Sequence, residues 1–218
     1  MAPGIFNKWF GGSSRQGVDD ESVPGEKVIR RSTGFNEFIK AISREQGLKI
    51  LDLGSTSAAN ITFMTGLGHG FHQGDVLRQA SDKSLLVPNG DDSPTLDVER
   101  FLRESMNFAR EDFDAVMFWD VADFLPDSLV APVIERVHYA MKPGGTMLAF
   151  FHTKDAGPDA PFYRYNIAAK DTLELQPVRG FRLRRIYQNR QVENLFRDYA
   201  SIKFFLGRDN IREMLIIR

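Results

Sequence analysis

The stretch KILDLGSTSAAN, residues 49–60, decides the fold. Its apolar run, residues 50–53, contains Asp52 and ends at Gly54, and small residues follow before a helix-like pattern begins. A strand, a small-residue turn and a helix in this order are typical of nucleotide-binding turns in α/β proteins. We therefore expect a buried strand here that ends beside a ligand-binding turn.

Strand-like and helix-like segments alternate along the rest of the chain. FDAVMFWDV, residues 113–121, is a nearly continuous apolar run, which is typical of a parallel strand buried on both faces. TMLAFFHT, residues 146–153, has the same character, and residues 201–218 have the pattern of two strands joined by a turn. The alternation predicts an α/β fold with a doubly wound, mostly parallel sheet and a C-terminal antiparallel hairpin.

Three other segments have weaker patterns. Apolar residues recur at helical spacing across residues 26–46, which predicts one helix there. SLLVP, residues 84–88, fits either a strand or an irregular segment, and FRLRRIY, residues 181–187, alternates like an edge strand.

The composition is that of one ordinary soluble domain. The 218 residues are 42% hydrophobic and 26% charged, so a normal core can form without disulfides or metal. The absence of cysteine excludes disulfides, thiolate metal sites and a cysteine nucleophile. A formal net charge of −1 argues against a nucleic-acid partner, and no apolar run is long enough to span a bilayer. We see no signal peptide and expect a cytoplasmic protein.

The N-terminus differs from the rest of the chain. Residues 1–25 have the pattern of a flexible arm, with the apolar residues Phe6, Trp9 and Phe10 near its start and a Gly, Ser and Asp-rich linker behind them. The arm is expected to pack on the domain or to contact a protein partner or a membrane surface. Residues 26–218 then form the α/β domain.

Several motifs together resemble the class I S-adenosylmethionine-dependent methyltransferases. They are ILDLG before a helix, GHGFHQGD about twenty residues on, FDAVMFWDVADFLP, ERVHYAMKPGGTMLAFFHT and the closing hairpin. The resemblance covers residues 26–218 and implies a Rossmann-like sheet of seven strands with an antiparallel last strand. It also implies S-adenosylmethionine as cofactor and methyl transfer to an acceptor, which we expect to be a small molecule.

The resemblance assigns cofactor contacts to the ends of the strands. Asp75 lies 21 residues beyond Gly54, at the spacing of a carboxylate that binds ribose hydroxyls, and Asp97 is the candidate for the adenine amino group. Thr56 and Ala58 stand where the family has its second and third glycines. The full cofactor set is Asp52, Gly54, Ser55, Thr56, Asp75, Asp97 and Trp119. The plain alternative for the aspartates is a capping or solvated turn residue.

The acceptor side is assigned in the same way. His152 ends the apolar run of residues 146–153, the fifth strand of the resemblance, where an imidazole can act as a base on a hydroxyl or amine. Asp120 ends the run of residues 113–121, the fourth strand of the resemblance. Residues 154–188 are expected to cover the acceptor through Tyr163, Tyr165 and Arg182. The alternatives are a buried structural histidine, a capping aspartate and solvated arginines. The histidines lack metal-ligand spacing, so no metal site is expected.

Two functions remain open at this stage. The first is an enzyme, the methyltransferase itself. The second is a non-catalytic protein of the same fold, with a vestigial cofactor site, which acts as a binding or regulatory module; the altered glycine turn motivates it. A nicotinamide dehydrogenase is disfavoured because the first turn lacks G-x-G-x-x-G.

Overall fold

A computed structural model describes residues 27–90, 92–157, 159–205, 207 and 209–218. Its strands are β1 (Val28–Arg31), β2 (Lys49–Asp52), β3 (Gly70–Gln73), β4 (Leu86–Asn89), β5 (Asp92–Leu96), β6 (Phe113–Trp119), β7 (Met141–His152), β8 (Phe162–Ala169), β9 (Thr172–Val178), β10 (Ser201–Phe205) and β11 (Ile211–Ile217). Its helices are α1 (Thr33–Ile42), α2 (Ala58–Gly66), α3 (Val76–Ala80), α4 (Val98–Ser105), α5 (Val121–Phe124), α6 (Asp127–Ala140) and α7 (Asn189–Leu195). The proposed arm, with Phe6, Trp9 and Phe10, lies outside the described residues.

The central sheet has the strand order β10-β11-β7-β6-β2-β3. Strands β3, β2, β6 and β7 run parallel to one another, whereas β11 is antiparallel to β7 and β10 is antiparallel to β11. The mostly parallel sheet and the closing antiparallel hairpin therefore agree with the prediction from the sequence. The chain runs outward in one direction from β2 and in the other from β6, so the order reverses between these two strands. Open α/β sheets bind ligands at such a switch point.

The central sheet shows six strands among the described residues, where the resemblance implied seven. The segments Leu86–Asn89 and Asp92–Leu96 form β4 and β5, an antiparallel pair separate from the central sheet. Pro88 and Pro94 lack the N–H that a central strand must donate. Gly90 takes a positive φ of 58°, which suits a tight turn that pairs the two segments with each other.

The expected helix over residues 26–46 is shorter than predicted. Residues 28–31 form β1, which pairs with β9, and β9 pairs with β8, so the three strands make a separate antiparallel sheet. Helix α1 begins only after Ser32, whose hydroxyl accepts a hydrogen bond from the Phe35 N–H at 3.0 Å. The strand hairpin β8–β9 falls inside the segment 154–188 that was assigned to the acceptor side.

Residues 181–187 form no strand, contrary to the expectation of an edge strand. Their backbone is bound elsewhere, because the N–H groups of Arg184 and Arg185 both donate to the carbonyl oxygen of Asp123. The alternation of apolar residues in the sequence could not show that the Asp123 carbonyl would take these backbone hydrogen bonds. The segment is hydrogen-bonded to α5 instead of extending a sheet.

Two hydrophobic cores lie on the two faces of the central sheet. Along β6, Met117 and Trp119 belong to one core, whereas Val116 and Phe118 belong to the other, as the alternation of a strand requires. The first core is closed by α1 and by the inner face of the β8–β9 hairpin, and the second by α4, α6 and α7. Both faces of β6 are therefore covered, which explains its continuous apolar sequence.

Candidate functional site

The carboxyl ends of β2 and β6 meet at the switch point of the sheet. β2 ends at Asp52 and β6 at Trp119, and the two strands are hydrogen-bonded neighbours. The next strand on the other side of β6, β7, ends at His152. Residues that the sequence assigned to the cofactor and to the acceptor therefore do lie along one edge.

Asp52 is fully buried and its carboxylate is surrounded by donors. Oδ1 accepts hydrogen bonds from the Gly54 N–H at 3.0 Å and from the Trp119 indole N–H at 2.7 Å. Oδ2 accepts one from the Thr56 hydroxyl and a longer one from Asn60 Nδ2 at 3.5 Å. Burial raises the pKa of Asp52 to about 6, although these donors favour the charged form. These four donors thus use the hydrogen-bonding capacity of the Asp52 carboxylate.

Trp119 lies directly on the turn after β2. A Cβ added to Gly54 would lie 2.4 Å from Trp119 Cδ1, so the indole packs against the bare backbone of that glycine. The ring is 2% exposed and contacts Phe35 and Phe150. Its backbone has a φ of 51°, in the left-handed region that bulky residues avoid, and the register of β6 against β7 shifts at this point.

Tyr165 of β8 stacks on this indole. The two rings are stacked, with centroids 5.0 Å apart and planes 3° from parallel. The tyrosine hydroxyl donates to Asp120 Oδ2 at 2.9 Å. Asn60 at the start of α2 fixes the strand, because its amide donates to the Tyr165 carbonyl at 2.9 Å and accepts from the Ile167 N–H at 2.8 Å.

The place that the resemblance assigns to S-adenosylmethionine is therefore filled in the described conformation. The resemblance places the cofactor at the turn that begins with Gly54, and here the indole of Trp119 lies against that glycine. The carboxylate of Asp52 is hydrogen-bonded to protein donors, and Tyr165 stacks on the indole of Trp119. In this conformation the residues present do not fit the cofactor.

The remaining cofactor candidates have structural partners. The side chain of Asp75 caps α3 by accepting from the Arg78 N–H at 3.3 Å, and that of Asp97 caps α4 by accepting from the Arg100 N–H at 2.9 Å. Asp75 follows β3 at the carboxyl edge of the central sheet, whereas Asp97 follows the separate hairpin β4–β5. The Ser55 hydroxyl accepts a hydrogen bond from Arg164 of β8 at 3.3 Å. Their assignment to the cofactor stays a prediction.

His152 and Asp123 form a buried pair on the acceptor side. Asp123 Oδ2 lies 2.9 Å from His152 Nδ1 and accepts the backbone N–H of His152 at 2.6 Å. Burial alone would lower the pKa of His152, but the hydrogen bond that the imidazole donates to Asp123 and the charge of Asp120 raise it above its ordinary value. The pair fixes the orientation of the imidazole and leaves Nε2 for another partner.

Two buried carboxylate oxygens near this pair are unsatisfied. Asp120 Oδ1 and Asp123 Oδ1 have no hydrogen-bond partner among the described residues. Burial raises the pKa of Asp120 to about 7, and burial also raises that of Asp123. Buried unpaired polar atoms with shifted pKa values are concentrated at functional sites of proteins.

A cleft of about 410 Å³ lies beside His152. Tyr163 lines it, as do the aliphatic side chains of Val28, Leu175 and Ile211, which belong to β1, β9 and β11. Its remaining lining residues are Ile29, Arg30, Ala156, Ala160, Pro161, Asp209 and Asn210. The cleft thus has apolar walls, one aromatic ring and an imidazole, which suits a small organic ligand.

The cleft has one strongly polar wall. Arg30 is 6% exposed and forms ion pairs with Asp209, at 2.6 Å from Nε, and with Glu213. Glu213 also accepts a hydrogen bond from the Gly34 N–H at the start of α1. Because Arg30 is engaged by two carboxylates, this wall is fixed in place.

Arg182 lies elsewhere. It is exposed and lines a different cleft with Leu77, Phe124 and Phe181, on the side of α3. The structure therefore brings Tyr163 to His152 and packs Tyr165 next to them, but it does not place Arg182 with this group. Among the described residues, no three His, Asp or Glu side chains are grouped so as to hold a metal ion, and no helix there is long and apolar enough to cross a membrane.

Sequence reasoning missed three residues that build the site: Asn60, Asp123 and Arg30. Asp123 follows Asp120 by three positions, and two acidic residues at this spacing on a helix lie on one side of it, which was an available signal. The partners of Asn60 and Arg30 lie more than a hundred positions away in the chain, at separations of 105 and 179 residues. No local pattern could identify them.

No protein-family model matches the chain, and no curated protein sequence matches it. Among solved structures, 1,6-didemethyltoxoflavin-N1-methyltransferase from Burkholderia thailandensis, with bound 1,6-didemethyltoxoflavin and S-adenosylhomocysteine, is similar at 11% identity and a TM-score of 0.49, over 85% of this chain and 77% of that chain. A TehB-like S-adenosylmethionine-dependent methyltransferase from Corynebacterium glutamicum is 14% identical, with a TM-score of 0.47, over 85% and 87%. An S-adenosylmethionine-dependent methyltransferase from Mesorhizobium loti is 12% identical, with a TM-score of 0.42, over 84% and 96%. These likenesses concern the fold alone, and the chemistry of the site depends on its own side chains.

Proposed function

We propose that this chain is an S-adenosylmethionine-dependent methyltransferase whose acceptor is a small molecule bound in the cleft beside His152. The observation that supports it most is the buried Asp123–His152 pair, which lies at the carboxyl edge of the sheet and opens on that cleft. A structural histidine would need no cavity beside it. The proposal also rests on the sequence motifs shared with the methyltransferases.

His152 is the group that would take a proton from the acceptor. Its Nδ1 is held by Asp123, so Nε2 is the ring nitrogen available to a hydroxyl or amine in the cleft. Asp123 acts through His152 and is a positioning residue. Tyr163 and the aliphatic wall would hold the body of the acceptor, and an acceptor with an aromatic or aliphatic ring fits this lining best.

The first experiment is a calorimetric titration of the folded protein with S-adenosylmethionine and S-adenosylhomocysteine. Saturable binding of both supports the proposal. A screen of phenols and amines then follows the release of S-adenosylhomocysteine, with His152→Gln as the test variant and His72→Gln as the matched control. His72 is exposed on β3, so its loss should leave turnover unchanged, whereas loss of His152 should lower turnover by about 10²-fold or more.

A second candidate is the non-catalytic protein of the same fold, and one specific observation favours it. Trp119 and Tyr165 fill the place of the cofactor in the described conformation. Under this hypothesis the cleft beside His152 binds a ligand without methyl transfer. Absence of any heat of binding with millimolar cofactor, for protein shown to be folded, would favour this candidate over the enzyme.

A further inference from the structure

The indole of Trp119 links the two sides of the site. On one side its N–H donates to Asp52, and on the other its face is stacked on Tyr165, whose hydroxyl is bound to Asp120. Tyr163, two residues before Tyr165 on β8, packs against the same core and lines the cleft. The ring therefore contacts the turn at Gly54 on one side and, on the other, a residue of the strand that lines the acceptor-side cleft.

Trp119 is held in this place against a local preference. Its φ of 51° lies in a region that non-glycine residues rarely adopt, and the strand register shifts beside it. Strained residues persist where the surrounding structure forces them, and they occur at sites that switch between two arrangements. A change of this one backbone angle to an ordinary value would redirect the side chain.

The position left by the indole would have the features of a binding site. Gly54 would be uncovered, because the indole is the group that touches its bare Cα. Asp52 Oδ1 would keep the hydrogen bond from the Gly54 N–H and would be able to accept another from a ligand donor. Thr56 and Asn60 would still hold Oδ2, so the carboxylate would stay oriented.

We propose that Trp119 is a displaceable plug, and that S-adenosylmethionine binds only when its indole leaves Gly54 and Asp52. This inference rests on the proposed function, since it concerns the same cofactor. It explains how a chain with methyltransferase motifs can have a filled cofactor place.

Calorimetric titration with S-adenosylmethionine tests the plug through two substitutions. Trp119→Gly removes the ring and suits the positive φ, so its affinity should exceed that of the wild type by at least about tenfold, because the wild type must first populate the open state. Trp119→Phe is the matched control, since it keeps a ring over Gly54 and loses the indole N–H. Its affinity should stay within about threefold of the wild type if ring volume is what excludes the cofactor.

Tryptophan fluorescence tests the displacement itself. The chain has two tryptophans, so Trp9→Phe leaves Trp119 as the single reporter. Addition of S-adenosylmethionine should shift the Trp119 emission to longer wavelength as the buried indole meets water. A circular dichroism spectrum and an unfolding curve for each variant establish that it is folded.

The outcomes separate the plug from the proposed function. Equal affinity in wild type and Trp119→Gly, with unchanged emission, would overturn the plug and leave the enzyme hypothesis standing. No binding to folded Trp119→Gly would overturn both. Binding to Trp119→Gly with none to the wild type would overturn displacement and favour the non-catalytic candidate, with Trp119 as a permanent part of the core.

Discussion

The two halves of the sheet's carboxyl edge differ in how their buried polar atoms are treated. Around Asp52, each carboxylate oxygen is hydrogen-bonded, and the space above is filled by Trp119 and Tyr165. Around His152, two carboxylate oxygens of Asp120 and Asp123 have no partner among the described residues, and a cleft of about 410 Å³ is open. One half is closed and satisfied, whereas the other is open and unsatisfied.

This difference indicates that the half around His152 can bind a ligand without rearrangement. A buried, unpaired carboxylate oxygen costs stability, so its persistence indicates a use that folding alone does not explain. The satisfied half, in contrast, gains stability from the very contacts that exclude a cofactor. The strain at Trp119 is the one sign that the closed half has a second arrangement.

The largest effect is expected from removal of the plug. Trp119→Ala should lower the free energy of unfolding by about 3–5 kcal/mol, the usual cost of deleting a buried tryptophan. Trp119→Gly leaves a similar cavity but has no penalty for a positive φ, so it should be more stable than the alanine variant by about 1 kcal/mol. Denaturant unfolding of the three proteins measures both differences. An alanine variant at least as stable as the glycine variant would show that the backbone at position 119 is unstrained.

The next effect concerns Asp120 and pH. Burial raises the pKa of this carboxyl from 3.8 to about 7 in the folded chain. Between about pH 4 and pH 7 the unfolded chain releases the proton while the folded chain keeps it, so the free energy of unfolding falls as the pH rises, by on the order of 4 kcal/mol at most. Asp120→Asn cannot ionise and should lose this part of the dependence.

Unfolding curves for the wild type and Asp120→Asn across this pH range provide the measurement. The free energy of unfolding of the variant should rise relative to that of the wild type as the pH rises, because the substituted side chain cannot ionise. Its amide oxygen still accepts the hydrogen bond from Tyr165. His152 and Asp123 face the same carboxyl and titrate in both proteins, so only the difference between the curves is informative. Parallel curves would mean that Asp120 is charged in the folded chain.

Sequence reasoning predicted the sheet better than it predicted the site. The apolar run of β6 is continuous because both of its faces are covered, and this relation between burial and pattern holds wherever such a strand occurs. The strand β1 was missed because its partner, β9, lies far along the chain. The seventh strand was expected from the family and not from the residues, and two prolines argued against it.

The site could be located from sequence but its state could not. Asp52, Trp119 and His152 all follow apolar runs, and parallel strands bring such ends to one edge. Whether Trp119 faces a ligand or fills its place depends on one backbone angle and on Tyr165, whose strand is fixed by a residue 105 positions away. Contacts of that range have no local signature.

A third prediction tests the open half. In Asp123→Asn, the imidazole of His152 loses the charge that raises its pKa, while burial, which lowers it, remains. The pKa of His152 should therefore fall below its value in the wild type. An NMR titration of the histidine side chains measures it, with exposed His72 as the internal control. An unchanged His152 would mean that Asp123 does not determine the protonation of the imidazole.

The smallest effect is expected at Thr56, which stands where the resemblance has a glycine. The residue either supports the carboxylate of Asp52 or is a tolerated replacement. Its hydroxyl donates to Asp52, so the residue supports the closed half instead of merely lacking a glycine's freedom. Thr56→Val keeps the shape and removes the donor, which should lower the free energy of unfolding by about 1 kcal/mol, whereas Thr56→Ser should be nearly neutral. Thermal unfolding compares the two. Equal stability of both variants would mean that Asp52 needs no hydroxyl, and Thr56 would then be a tolerated replacement with no part in holding the carboxylate.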